Sequence, residues 1–354
     1  MRNIAVQRLY TQRLAGEKFA STEAALTALG AVQAQEYPGA KWALGLRVAG
    51  VTDADIAQAF DAGHILRTHS LRPTWHFVTP ADLRWIMRLT APRVQKLNAY
   101  YYRQLGLDAA LFARCNDVIA RALAGGHFLT RKELGARLAE AGIAASGLRL
   151  TSIMMNAELA LLVCSGPLRG KQHTYALVDE RVPAGRTLEG AEALAELARR
   201  YFTGHGPATL RDFSWWSGLT LADAQAGVAM LSAQLDQAEI DGQTYWFLAR
   251  AIPEPDAMPV AHLLPLFDEY FVGYASFGKA ISAGQAVAQG YSLDAPVVLA
   301  GEIVGRWRRT LKQRAVALHI TLQRPVSADE RAAIEAAAER YGAFLGLPAQ
   351  LSIG

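Results

Sequence analysis

The sequence predicts a helix-rich α+β chain built on a recurring unit. Three observations carry that expectation. QHTYALVDERVP (Gln172–Pro183) returns as GQTYWFLARAIP (Gly242–Pro253), with Thr174-Tyr175 falling on Thr244-Tyr245 and no gap. Upstream, GGHFLTRKEL (Gly125–Leu134) is echoed by GHGPATLRDF (Gly204–Phe213), and each follows a helical run, LFARCNDVIARAL or EALAELARRYF. Beyond Pro259 the pattern changes to short apolar stretches, alternating strands and one amphipathic helix.

The N-terminal region reads as a third copy. A helix around Thr22–Val32 leads into AVQAQEYPGA (Ala31–Ala40), which a Pro-Gly turn should close. Tyr37 precedes a proline, which disfavours α geometry and places the pair Gln33 and Gln35 in an extended or turn conformation. ADIAQAFDAGHIL is a second helix, with Asp53 and Asp55 as cap and dipole partners. RTHSLRPTWHFVTP then alternates Thr74, His76 and Val78 against Trp75 and Phe77, the signature of a strand.

In the next unit Thr130 starts the helix TRKELGARLAEAG as an N-cap, TSIMMNAELALLV is a third helix, and CSGPLRGKQHTYALV is a hairpin. The last copy runs from Thr209 (TLRDFSWWSG) through LADAQAGVAMLSAQL to AEIDGQTYWFLA, whose Asp241-Gly242 is a two-residue turn signal. Helix, helix, helix and hairpin in that order is the winged-helix arrangement. In the tail, HLLPLFDEYFVGY is apolar and turn-rich, and VVLAGEIVGRWRR is a hairpin with Ala300-Gly301 at its tip. AVALHITLQ is a strand, and SADERAAIEAAAERYGAFLG is a helix capped by Ser327.

Composition narrows the function. The 354 residues are 51% hydrophobic, which supports several compact cores. The net charge of +4 and pI near 9.1 give a mild basic excess, carried mostly by arginine and compatible with nucleic acid. Cys115 and Cys164 fall in apolar helical surroundings and read as buried thiols of a reducing compartment. No secretory signal and no membrane-length apolar run is present, so the chain is expected to be cytoplasmic and associated with the nucleoid.

Several motifs fail on chemistry. GPLRGK (Gly166–Lys171) is one residue short of a phosphate loop, and Gln172 stands where Ser or Thr should hold magnesium. His64, His69 and His76 have no metal-site spacing, so neither a metal nor a cofactor is implied. The remaining candidates are Gln33, Gln35, Arg72, Thr74, His76, Asp268 and Glu269. An amide is a poor base and a poor metal ligand, but it offers a donor and an acceptor on one rigid plane.

LGAVQAQEYPGAKWALGLR, RTHSLRPTWHFVTPADLRW, HLLPLFDEYFVGY and LAGEIVGRWRR together resemble the AlkZ/YcaQ-type bacterial DNA glycosylases. That resemblance covers nearly the whole chain. It implies three tandem winged-helix units around a concave DNA-binding channel: residues 1–80 with the Gln-x-Gln motif, 81–183, 184–258, and a C-terminal α+β segment 259–354. It implies excision of N-alkylated purines, with unhooking of interstrand crosslinks for the Gln-x-Gln branch that Gln33-Ala34-Gln35 matches. The partner is then double-stranded DNA carrying such lesions, bound by a monomer.

An alkylated purine is already cationic and leaves as a neutral base, so no strong general acid is needed. Gln33 and Gln35 would orient the attacking water, with His76 and Thr74 beside them. Asp268 would lie near the sugar, and Arg72, Arg169, Lys171, Arg306, Arg308 and Arg309 would meet DNA. Lys41 is the one lysine near the pair, so a Schiff-base lyase step is not expected. The alternative is a winged-helix DNA-binding or regulatory protein without chemistry, or a protein-binding scaffold. The apolar third helices argue against major-groove reading.

Overall fold

The computed structural model describes residues 4–248, 259–276 and 295–354. Pro253, the end of the second sequence repeat, lies outside them. After α1 (Ile4–Thr11), one order of elements occurs three times. The first copy is α2 (Thr22–Leu29), β1 (Val32–Gln33), α3 (Tyr37–Gly45), α4 (Asp53–Ala62), β2 (Leu66–Ser70) and β3 (Thr74–Val78). Its sheet order is β1-β3-β2.

The 25-residue helix α5 (Pro80–Gln104) leads to the second copy. This is α6 (Ala109–Leu123), β4 (Leu129–Thr130), α7 (Arg131–Glu140), α8 (Gly147–Leu159), β5 (Val163–Ser165) and β6 (Thr174–Leu177), in the equivalent sheet order β4-β6-β5. A short α9 (Val178–Arg181) links it onward to α10 (Gly190–His205), α11 (Leu210–Ser217), α12 (Leu221–Ala229), β7 (Asp236–Ile240) and β8 (Gln243–Phe247). In this third copy the first strand has shrunk to one residue, Ala208, which bridges Trp246 of β8.

Local chemistry accounts for these elements. Thr52, Thr130, Thr209, Thr220 and Ser327 each close a capping box with the acidic residue three positions on, satisfying two helix-end N–H groups at once. Asp241 and Gly242 both take positive φ (50° and 69°), the primed turn that matches strand twist. The tip at Ala300 and Gly301 (47° and 88°) repeats that solution. The expected Pro-Gly turn is not there. Pro38 occupies the first turn of α3, where its missing N–H costs nothing, and Glu36 caps the helix by accepting the Gly39 N–H at 2.6 Å.

The C-terminal segment holds β9 (Ala261–Leu263), α13 (Glu269–Val272), β10 (Ala295–Leu299), β11 (Glu302–Leu311), β12 (Val316–Leu322), α14 (Ala328–Leu345) and β13 (Ala349–Ile353). The sheet order is β13-β12-β11-β10-β9, with β13 parallel to β12. One core lies between this sheet, α14 and α3, through Trp42, Trp307, Tyr341 and Phe344. A second joins α5, α10 and α11 to the first repeat through Trp85, Tyr201, Phe202 and Trp216. A third fills the second repeat and holds Cys115, while Cys164 joins the second core; both are buried free thiols. Among the described residues no helix is long and apolar enough to cross a membrane.

Two features bring distant chain to the Gln33 region. Arg200 of α10 makes a fully engaged pair with Asp82 of α5 at 2.6 and 2.9 Å, and Asp82 also accepts Trp85 Nε1–H at 2.9 Å. Gly218 ends α11 at φ 70°, and a Cβ there would stand 2.1 Å from the Leu71 carbonyl oxygen. Glycine therefore lets α11 dock against the β2–β3 turn that carries Arg72.

Candidate active site

Gly30, at φ 80°, terminates α2 and turns the chain into β1. There Val32 pairs with Phe77 and Gln33 with His76. Ala34 continues the contact by donating its N–H to the Trp75 carbonyl at 2.6 Å. Directly opposed residues share a face, so Val32, Phe77 and Arg67 lie on one side of the sheet. Gln33, His76, Thr68, Thr74 and Ser70 lie on the other. The predicted alternation of Thr74 and His76 against Trp75 and Phe77 is the alternation observed.

Gln33 is buried and held at both ends. Its backbone N–H donates to Glu269 Oε1 at 2.7 Å, and its side-chain Oε1 accepts from Arg72 at 2.9 Å. A guanidinium only donates, so the Gln33 carbonyl faces Arg72 and its NH2 points away. Gln35, two residues on, is exposed. Its Oε1 accepts the Trp75 N–H at 3.4 Å, and Arg67 fixes the intervening backbone through the Ala34 carbonyl at 2.9 Å.

His76 donates Nδ1–H to the Thr74 carbonyl at 3.0 Å, which leaves Nε2 as an acceptor. Burial, then the nearby Arg72 charge, pushes its pKa down to about 3. It is a neutral acceptor, too weakly basic to abstract a proton. His76 Nε2 and the hydroxyls of Thr68, Ser70 and Thr74 are buried with no partner among the described residues. Four such atoms on one sheet face form a polar layer that requires water or substrate hydroxyls to offset its desolvation.

The opposite edge opens to a cleft of about 750 Å³ lined by Arg67, Trp75, Arg131, Lys132, His173 and Tyr175. Arg67 stacks on Trp75 at 4.1 Å, and His69 packs on the same ring at 4.0 Å while contacting the buried Glu158. Burial lowers the Arg67 pKa to about 10, with Glu158 opposing the shift. The guanidinium stays charged at neutral pH. Neither this cleft nor a second of about 520 Å³, between Lys18, Trp42, His262 and Arg340, is lined by Gln33, Gln35 or His76.

The geometry gives several of the predicted contact residues partners within the protein. Asp268 does not approach a sugar: it is fully buried, bound by Arg47 at 2.6 and 2.8 Å, and caps α13. Arg72 does not point at phosphate, since it is spent on Gln33 and on the Val272 carbonyl at 3.1 Å, beside the Trp215 ring. Arg169 is tied to Glu133 at 2.7 Å and to the Phe128 carbonyl. Arg306, Arg308 and Arg309 lie in β11, on the flank of the β10–β11 hairpin and inside the five-stranded sheet. Arg309 binds Tyr341 Oη and Glu36, Arg306 is half-buried, and Lys171 and Arg308 are exposed.

Sequence reasoning passed over Arg67 and gave Glu269 no role. Glu269 Oε2 accepts Trp216 Nε1–H at 3.0 Å and lies 3.3 Å from His205 Nε2. Burial alone would raise its pKa, but the His205 contact, the Gln33 N–H and the Arg72 charge outweigh it and hold the carboxyl below its usual range. Its only signal in the sequence is its place after Asp268 in LFDEY.

A thrice-repeated helix and hairpin scaffold, with Gln33 and Gln35 anchored at the edge of its first sheet, is the frame of a DNA repair glycosylase. The chain belongs to the AlkZ-like DNA glycosylase family, whose model matches residues 26–344. Its fold is that of the Streptomyces sahachiroi DNA glycosylase AlkZ, with a TM-score of 0.79, 22% identity and 98% of each chain covered. No curated protein matches the chain.

Proposed function

We propose that the protein hydrolyses the N-glycosidic bond of N-alkylated, cationic purines in double-stranded DNA, with Gln33 and Gln35 orienting the attacking water. The observation that carries this is the anchoring of the two amides. Each carbonyl oxygen is held by one fixed donor, Arg72 or the Trp75 N–H, and keeps a second lone pair for a water. Gln33 shares its sheet face with His76 and Thr74, which supply further acceptor and hydroxyl positions.

Chemistry limits the substrate. Without a strong acid or base, such a site works on lesions whose base already departs neutral, and positioning of water can be worth several kcal/mol. Lys41 is bound to Asp53 at 2.7 Å, which supports a monofunctional enzyme without a Schiff base. The exposure of Gln35 suits a bulky or crosslinked adduct better than a closed pocket would. The threefold element order supports reading residues 1–80, 81–183 and 184–258 as winged-helix units closed by 259–354. Of the predicted cations, Lys171 and Arg308 are exposed and open to phosphate, and a monomer suffices.

The test is release of 7-methylguanine from duplex DNA, and unhooking of a crosslinked duplex, by wild type and by Gln33→Ala and Gln35→Ala. Release lost in both variants supports the reading. DNA binding without release, or release of uracil as readily as 7-methylguanine, refutes it.

A further inference from the structure

The amide site contains a charge problem. Arg72 places a guanidinium 2.9 Å from Gln33 Oε1, next to the position where the proposed reaction must build positive charge on the sugar. A lone cation there would oppose glycosidic bond cleavage. Glu269 lies on the other side of the same residue, fully buried, with Oε1 on the Gln33 N–H at 2.7 Å.

What surrounds Glu269 leaves its charge uncancelled by direct contact with a lysine or arginine. Its donors are the Gln33 N–H, Trp216 Nε1–H and His205 Nε2. Among the described residues no lysine or arginine comes within ion-pair distance of it. His205 touches it through Nε2 only, and Nδ1 is buried without a partner among the described residues. The adjacent Asp268 is the contrast, cancelled by Arg47 at 2.6 Å. Glu36, next to Gln35, is exposed and occupied by Gly39 and Arg309. Tyr201 and Tyr274, through their contacts with His205, and His76, through its pairing with Gln33, are further titratable neighbours of this centre.

We propose that Glu269 is the buried counter-charge that allows a guanidinium to hold Gln33 at a site where the deoxyribose becomes cationic. It is a positioning and electrostatic residue and does not touch substrate. The inference rests on the reading of Gln33 at the sugar. At an effective dielectric of about 20, two unit charges about 7 Å apart interact strongly enough to change the stability of a cation by a factor of roughly 50.

The experiment compares binding of two duplexes, one with a cationic pyrrolidine abasic analogue and one with neutral tetrahydrofuran. Wild type should prefer the cationic duplex. Glu269→Gln, nearly isosteric, should lose about 50-fold of that preference while keeping its affinity for tetrahydrofuran DNA, and its kcat for 7-methylguanine release should fall with KM unchanged. An unchanged preference in a folded Glu269→Gln protein overturns the inference and leaves the Gln33 reading standing.

If that variant does not fold, salt decides on wild type alone. A buried charge is weakly screened, so the ratio of the two affinities should hold between 50 and 200 mM salt while both affinities fall. A ratio that collapses to one with salt assigns the preference to exposed charges and overturns the inference. Wild type that neither releases 7-methylguanine nor prefers either abasic duplex over undamaged DNA overturns both readings.

Discussion

Replacing Arg72 separates two roles that the sequence alone confuses. Its guanidinium donates to Gln33 Oε1 at 2.9 Å and to the Val272 carbonyl at 3.1 Å, and it lies 5.3 Å from the Trp215 ring. Arg72→Met removes the one donor that the described residues give the Gln33 carboxamide oxygen but keeps the apolar stem against Trp215. A hydrogen bond to a charged group contributes about 1.5–3 kcal/mol. If that energy goes into orienting Gln33, its loss lowers kcat by roughly 10- to 150-fold, an effect that removal of the cation beside the sugar partly offsets. Arg72→Lys keeps the charge and one donor but not the fork, and should recover part of the loss. The assay is single-turnover release of 7-methylguanine, with DNA affinity measured across a salt series. Affinity and its salt slope should hardly change, because this cation is already committed inside the protein. A variant with wild-type kcat, weaker binding and a salt slope reduced by about one unit would show a phosphate contact instead and refute the reasoning.

Acid should destabilise the fold well before the carboxylates titrate. Burial first, then nearby cations, lowers the pKa of His76 and of His262 to about 3, so as pH falls below 6.5 the unfolded chain binds protons that the folded one refuses. Stability is therefore complete above the unfolded value and lost on the way down. By pH 5 the two histidines remove on the order of 4 kcal/mol, and a urea midpoint that does not move between pH 7.5 and 5 would contradict this. Gly218→Ala should lower the urea midpoint at constant m by at least about 1–3 kcal/mol of stability, because φ is 70° and the added carbon meets the Leu71 carbonyl at 2.1 Å. A variant as stable as wild type would mean that α11 need not seat so closely on the β2–β3 turn.

Elements governed by neighbours in the chain were legible from the sequence. The caps at Thr130, Thr209 and Ser327, the turns at Asp241-Gly242 and Ala300-Gly301, and the alternation around His76 each depend on a few adjacent residues. The Pro-Gly reading at Pro38-Gly39 failed for a local reason too: proline both interrupts a helix and starts one, and Glu36 three residues before Gly39 decides which. The candidate site was legible only in outline. Gln33 and Gln35 could be singled out, but Asp268 and Arg72 were assigned to DNA because a charged residue in a loop carries no mark of its eventual partner.

The sequence by itself determined the helix-rich α+β class, the recurring helix and hairpin order, the family, and the non-helical Gln33-Ala34-Gln35 segment, because periodicity, caps and turns act over a few bonds. Tertiary structure alone decided what each charge does. Arg47 meets Asp268 across 221 positions, Glu269 meets Gln33 across 236, and Arg200 meets Asp82 across 118. The energy of a buried charge depends on which groups the fold carries to within about 3 Å of it, and no short stretch of sequence contains both partners.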